Sequence, residues 1–456
     1  MAYREALNYL ASRTRVIELC NQLGGRIAIC PDWHGRVMTS SCDGLDGYSF
    51  GLVNVPAIDN NENKNKNDDF SEEVTGSFDM YGGEDQFTLS PDNGAFSLYH
   101  NQVVKPQFIS DSKLFVLSDN GFSEGKFITD TEPPDPEIRM RRSVGFSNKI
   151  GTQFNFEISR VVRLLELEEI GEIFGQSVAV SLEQTDTSYV AFQTSNTIVN
   201  RGASVMRELG LVSIKIRNML NTEIDSVAVV PFRTGREIEL GPSFGADFFD
   251  LAPHSQLRQL PQAVLIRADC RYHCQVGIPR NRAIPFLGSV DFRSGNLTLV
   301  SFNLPESAWE YDYLSNAFCE VEVDAVDAFD SGSGIDFVST RNNSIYLRDS
   351  ELVRQNSERL KLRVEDSGNF RIGEISSLYS GEVVRVYNHG GSDSDIKPTF
   401  RYCEFDVFSI ACELVKGEAL SHVQHTLHIN ADNKTLAFIA KEVLGVNYEQ
   451  AYAKIR

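Results

Sequence analysis

The chain has 456 residues, of which 63 are acidic and 43 basic, giving a formal net charge of -20. A surface of that sign repels phosphate backbones and anionic membranes, which excludes nucleic acid as a natural partner. Hydrophobic residues make up 41%, ample for a large core, yet no run approaches the roughly twenty consecutive apolar residues a membrane helix needs.

In chain order, Tyr3 to Ala11 reads as a short amphipathic helix with Ala6, Leu7, Leu10 and Ala11 on one stripe. The run Asp59 to Asp69 contains no apolar residue and cannot offset its ordering entropy by burial, so residues 59–75 are expected to form a flexible loop. Next, Phe78 to Tyr99 sets a paired-glycine turn, Gly82-Gly83, before the carboxylates Glu84 and Asp85, between aromatic, strand-like flanks. Glycines let the backbone bend tightly and come close to a ligand. Carboxylates beside aromatic faces suit a hydroxyl-rich, partly apolar ring such as a sugar. The plainer alternative is that Glu84 and Asp85 cap the turn or pair with a base such as Arg36.

Beyond that motif the pattern is strand after strand. Phe154, Phe156 and Ile158 alternate with polar residues, as do Val212, Ile214 and Ile216 with Ser213, Lys215 and Arg217, and Cys319, Val321 and Val323 with acids. Each reads as a half-buried strand with one wet face. Leu360 to Glu365 repeats the pattern, and clusters such as Ser331-Gly334 and Gly390-Asp393 punctuate it. Helices are expected mainly at the ends. Leu436, Ile439, Ala440, Val443 and Leu444 hold helical spacing before Gly445, and Asn447 with Gln450 forms a capping pair for a last short helix. Without regular interleaved helices a doubly wound sheet is disfavoured. Eight scattered cysteines, and no basic start followed by an apolar run and a cleavage site, point to a reduced, cytoplasmic protein.

Several stretches admit a chemical reading. His422, Gln424, Thr426 and His428 alternate onto one strand face, where a hydrogen-bonded structural role outweighs a ligand-facing one. Arg267, Arg271 and His273 alternate likewise and could clamp a carboxylate or sugar hydroxyls, or merely balance the acidic surface. Cys270 and Cys274 lack zinc-pair spacing and have no second pair, so no metal is expected. Gly241 to Gly245 matches a serine-hydrolase elbow in letters only, since Pro253 forbids the long helix that must follow. No phosphate-cradling or dinucleotide motif occurs in its required context, so no cofactor is expected.

A resemblance organises these pieces. Gly35-Arg36-Val37-Met38-Thr39-Ser40-Ser41, the Gly82 to Asp85 turn, Asn200-Arg201-Gly202, Ala268 to Gly277, Arg282 to Ser289, Tyr387-Asn388-His389-Gly390, Tyr402 to Asp406 and Gly417 to His428 follow in order. Together they resemble a bacterial family of uncharacterised function, the DUF6786 type, of the galactose mutarotase-like superfamily. The resemblance implies a single, mainly β, mostly antiparallel supersandwich from about residue 14 to residue 430, with short terminal helices; residues 326–378 have no counterpart in it, and their strand-like runs are expected to form an ordered insertion lobe. The resemblance also implies a concave face that binds carbohydrate. By analogy Glu404 is the base of an aldose epimerase; His273 and Glu84 are the further catalytic candidates. His100 and His389 are ligand-binding candidates, and none of the three histidines lies in a mutarotase histidine motif. Arg36, Asp85, Arg267, Arg271 and Tyr402 are expected to line the same concave surface. The function expected is therefore carbohydrate binding, with epimerase or related sugar chemistry. The alternatives are a non-catalytic sugar sensor or scaffold, and a lyase or hydrolase whose Arg267 and Arg271 hold a uronate.

Overall fold

The computed structural model describes residues 1–64, 78–92, 96–99, 107–109, 112–114, 125–184, 186–247, 256–272, 274–314, 337–339, 345–347, 379–389 and 402–447. Two large sheets lie face to face, and every ladder in them is antiparallel. One sheet has ten strands in the order β14 (Leu257–Gln259), β15 (Ala263–Arg267), β12 (Val227–Pro231), β17 (Phe286–Asp291), β18 (Asn296–Phe302), β23 (Ala419–Asn430), β10 (Ser188–Asn200), β9 (Gln153–Leu164), β8 (Glu137–Ser147) and β7 (Ile128–Thr129). The other has six, in the order β13 (Gly245–Asp247), β16 (Cys274–Pro279), β21 (Glu382–Asn388), β22 (Tyr402–Phe408), β11 (Ser213–Asn221) and β4 (Gln86–Ser90). A meander of β1 (Ile17–Cys20), β2 (Arg26–Cys30) and β3 (Arg36–Ser41) joins them through a bridge between Val37 and Asp85. Two hairpins, β5 (Gln107–Ile109) with β6 (Ser112–Leu114) and β19 (Phe337–Ser339) with β20 (Ile345–Leu347), pair only with themselves.

The expected mainly β, antiparallel sandwich is what the chain builds, because alternation puts one side of each strand into a shared interior. Phe156, Ile158, Val162, Phe192 and Ile198 of the large sheet meet Phe87, Ile214 and Ile216 of the small one. Further along, Val230, Ile266 and Val300 meet Val276, Val386, Phe405 and Val407.

The ten-stranded sheet is apolar on its other side too, where Ala191, Val229, Leu265, Leu299 and Leu427 lie under three helices. These are α3 (Leu167–Phe174), α4 (Gln176–Leu182) and α5 (Asn433–Leu444), numbered after α1 (Tyr3–Ala11) and α2 (Val55–Lys64). Helices α1 and α5 were expected. In α5, Asp432 caps the amides of Lys434 and Thr435 at 2.8 and 3.1 Å, and Gly445 closes the helix at φ 68°.

Helices α3 and α4 correct the expectation that helices gather at the ends. Ile170, Phe174, Val178 and Leu182 recur every four residues and bury one stripe against the sheet, a period that a strand-by-strand reading passes over. The polar run from Asp59, expected as a loop, begins instead as the second half of α2, anchored by buried Ile58 and by the Ala57 amide bonding to Asn54 Oδ1. Residues 65–77 lie outside the described residues. So do the strand expected at Cys319 to Asp324, the one at Leu360 to Glu365, the Ser331 and Gly390 turn clusters, most of 326–378, and Gln450 of the capping pair.

Candidate functional site on the outer face of the six-stranded sheet

Strands β11, β22 and β21 form the middle of the six-stranded sheet. One side of each is apolar and faces the sandwich core: Ile214 and Ile216, then Cys403, Phe405 and Val407, then Val384 and Val386. The period of two therefore turns Lys215, Arg217, Tyr402, Glu404, Asp406, Arg385 and Tyr387 to the opposite face. Register places Arg217, Asp406 and Arg385 side by side across three strands, and Met219, Glu404 and Tyr387 in the next row. The face was expected to be wet, yet it is buried. Lys215 and Asp406 are 1% exposed, Arg385 and Glu404 4%. Segment 50–52 continues the sheet edge there, with Leu52 packed on Met219 and Tyr402.

Charges so deeply buried must find partners. Arg217 Nε stands 3.1 Å from Glu404 Oε1 and 3.5 Å from Asp406 Oδ1. His389 Nε2 is 3.3 Å from Glu404 Oε2. Lys215 Nζ donates to Asp92 at 2.5 Å, and Arg385 Nε donates to Glu382 at 2.9 Å. Burial alone would raise the Glu404 carboxyl, but Arg217, His389 and Lys215 outweigh it and hold the group down at about 2. Asp406 moves the other way, to about 6, because burial and the neighbouring Glu404 charge exceed the help from Lys215 and Arg217. Beside the acids runs an aromatic row: the His389 ring stacks on Tyr402 at 4.4 Å and on Tyr387 at 5.6 Å. Burial raises both phenols, Tyr387 to about 12, so they remain hydroxyl donors.

Glu404 and Tyr402 of β22 and His389, which follows the neighbouring strand β21, thus meet on one face. Glu84, Asp85 and Arg36 do not join them. Asp85 is fully buried between the two large sheets, bound by Arg160 at 2.5 Å, by the Thr194 hydroxyl at 2.8 Å and by Gln424 Nε2 at 3.1 Å. Glu84 is equally buried, accepts from Ser40 at 2.9 Å and lies 3.2 Å from His428. Arg36 donates to the carbonyls of Trp33 and Gly82. The paired glycines serve packing as well: a Cβ on Gly82, at φ 95°, would sit 2.1 Å from the Leu52 carbonyl oxygen. The motif is the seam between the meander and the sandwich. His422, Gln424, Thr426 and His428 point into the same interior; Gln424 and His428 are hydrogen-bonded there as expected, whereas the His422 ring nitrogens and the Thr426 hydroxyl are buried without a hydrogen bond among the described residues.

Arg267 ends β15, and the chain turns through Ala268 to Tyr272 before β16, so Arg267 and Arg271 share no strand face. Both lean on buried Asp269, at 3.3 and 3.9 Å. Left-handed Cys270 at φ 56°, whose amide bonds to Asn388, makes that turn. His100 and His273 lie outside the described residues.

Sequence comparison places the chain. Residues 1–336 and 364–455 match the family model DUF6786, a family of unknown function. The chain belongs to that family. No curated protein matches it. Among solved structures, the Slr1438 protein of Synechocystis sp. PCC 6803 is similar over 92% of this chain and 97% of its own, with 10% identity and a TM-score of 0.43. A galactose mutarotase-like protein from Lactobacillus casei aligns over 91% of this chain and 99% of its own, with 8% identity and a TM-score of 0.38. A proposed aldose 1-epimerase from Klebsiella pneumoniae aligns over 96% of this chain and 83% of its own, with 10% identity and a TM-score of 0.44.

In this DUF6786 chain the residues that sequence reasoning missed are Asp406, Lys215, Arg217 and Arg385. The signal was present. Asp406 stands two residues beyond Glu404 in the same quoted motif, and Lys215 and Arg217 are the polar half of an alternation read as a wet face. Which basic strand lies beside which acidic one is set by sheet order, which alternation does not encode.

Proposed function

We propose that this protein binds a neutral carbohydrate on the outer face of its six-stranded sheet. The observation that carries the proposal is that Glu404, held by Arg217 and His389, shares its face with the stacked Tyr387, His389 and Tyr402 row. A carboxylate accepts hydrogen bonds from sugar hydroxyls, phenols donate them, and ring faces stack on the apolar side of a pyranose. The resemblance of the sequence motifs to the mutarotase-like superfamily supports the same reading. A neutral ligand is favoured over a uronate because Lys215, Arg217 and Arg385 are matched by Asp92, Glu404 and Glu382.

Glu404 fits the role of anchor better than that of base. His389 touches its carboxylate directly instead of facing it across a gap wide enough for a sugar. A group held at about 2 is also a weak proton acceptor at neutral pH. A thermal-shift screen of free aldoses and uronates tests the proposal, since a ligand that binds only the folded state raises its apparent stability. A neutral aldose should stabilise the wild type and not Glu404→Ala. Stabilisation by uronates alone, or equal stabilisation of the variant, would overturn it.

A further inference from the structure

A small pocket lies where the ends of β11 and β17 and the start of β18 meet residues 48–50. Tyr48, Phe50, Ser289, Asp291, Ser294 and Thr298 are among its walls, and exposed Ser294 with half-buried Tyr48 and Ser289 put its mouth at the surface. Antiparallel register sets Thr298 of β18 opposite His428 of β23. The Thr298 hydroxyl is 2.9 Å from His428 Nδ1, and His428 Nε2 lies 3.2 Å from Glu84 Oε2. Phe50 stacks on the imidazole, with ring centroids 4.1 Å apart, and so fixes its plane. Thr298 is 5% exposed, His428 and Glu84 0%. A hydroxyl at a pocket, backed by a buried imidazole and then a buried carboxylate, is the arrangement of an activated nucleophile, with the base in reach of the hydroxyl and a third group behind the base. We infer that Thr298 is the nucleophile of an esterase activity on a non-anionic ester of a short acid, with His428 as its base and Glu84 as the positioning residue behind it. This activity needs no sugar on the Glu404 face.

The atoms balance with water as the only co-reactant. In the tautomer whose Nε2 hydrogen faces Glu84, Nδ1 accepts the Thr298 proton as Oγ1 bonds to the acyl carbon, and the carbonyl pair moves onto its oxygen. That pair returns, the bond to the alkoxide breaks, and the alkoxide takes the proton from Nδ1 and leaves as an alcohol. Water then attacks the acyl carbon and gives its proton to Nδ1. Oγ1 regains that proton as its own bond to the acyl carbon breaks, so ester and water become alcohol and acid. Glu84 touches no reacting atom; its charge stabilises the imidazolium formed in each half.

The pocket wall selects the substrate. Asp291 is part of it and no lysine or arginine is, so an anionic ester is disfavoured, and the small space limits the acyl chain. Tyr48 supplies a donor for the developing oxyanion: burial, then Glu223 and Asp291, push its phenol up, so the hydroxyl keeps its proton.

The test uses p-nitrophenyl acetate, with nitrophenol release followed by absorbance and the acetyl group located by peptide mass spectrometry after acid quench. Acetyl should appear on Thr298. Thr298→Val should lose about 100-fold or more in acylation rate, while Thr298→Ser retains it. Glu84→Gln should slow acylation and move its pH profile toward acid, because an imidazolium without its carboxylate gives up its proton more readily. A purely structural glutamate would leave that profile where it was. The anionic p-nitrophenyl succinate should react more slowly than the acetate, and equal rates would overturn the pocket as the place of reaction. Acetyl found only on other residues, or an unchanged rate in Thr298→Val, would overturn the role of Thr298 whether or not Glu84→Gln folds. Failure to bind any sugar would leave this activity standing.

Discussion

Two buried carboxylate clusters in this protein have nearly the same composition and opposite meanings. Between the sheets, Asp85 is bound by Arg160, Thr194 and Gln424 and sealed at 0% exposure, so one residue ties β9, β10 and β23 to the meander. On the outer face, Glu404 and Asp406 share one guanidinium. Charge and burial alone do not separate the two. Partners do: Asp85 is held by three side chains of the ten-stranded sheet, whereas Glu404 and Asp406 lean on one arginine beside an aromatic row. Beside Asp85, Glu84 Oε1 lacks a hydrogen bond among the described residues but is sealed in the interior, where His428 lies stacked under Phe50 at 4.1 Å.

The sharpest break of this comparison is to remove the base from each cluster. Arg160→Met leaves Asp85 charged and unpaired in the interior, and should cost about 3–5 kcal/mol in urea unfolding. Arg217→Met should cost clearly less, because its side chain is 15% exposed and His389 still pairs Glu404, while sugar binding is lost. Equal losses of stability would erase the distinction between the clusters.

Two histidines of β23, one on each face, sharpen it further. Burial and then His425 lower His422 to about 3, and burial, then Arg163, lower His425 to about 4. A histidine depressed in the folded state contributes stability that is complete above its unfolded value of about 6.5 and is lost as pH falls toward the folded value. His422 alone should contribute a loss on the order of 4 kcal/mol by pH 3. His422→Phe should flatten the acid limb of stability against pH, and an unchanged limb would remove His422 from the account. A control at the surface completes the series. Arg163 and Glu169 form a pair at 2.8 Å with side chains 28% and 34% exposed. Arg163→Ala should change stability by no more than about 1 kcal/mol, measured in the same titration.

What the sequence by itself determined follows from short-range periodicity. The strands and the terminal helices, one of them closed by Gly445, were legible there because a period of two or of 3.6 fixes which side of an element is apolar, and the family through its motifs. It also held Glu404, His389 and Tyr402, by resemblance of motifs. The fate of polar faces was decided only in three dimensions. Ser213, Lys215 and Arg217 read as a wet face, and Glu84 with Asp85 as a ligand site, from the same local evidence of polarity beside apolar alternation. Folding buried both, one under its neighbours on the outer face and the other between the sheets. Alternation says that two faces differ, but not what a strand from two hundred residues away will lay upon them. That depends on sheet order, and sheet order put Arg217 and Arg385 on either side of Asp406.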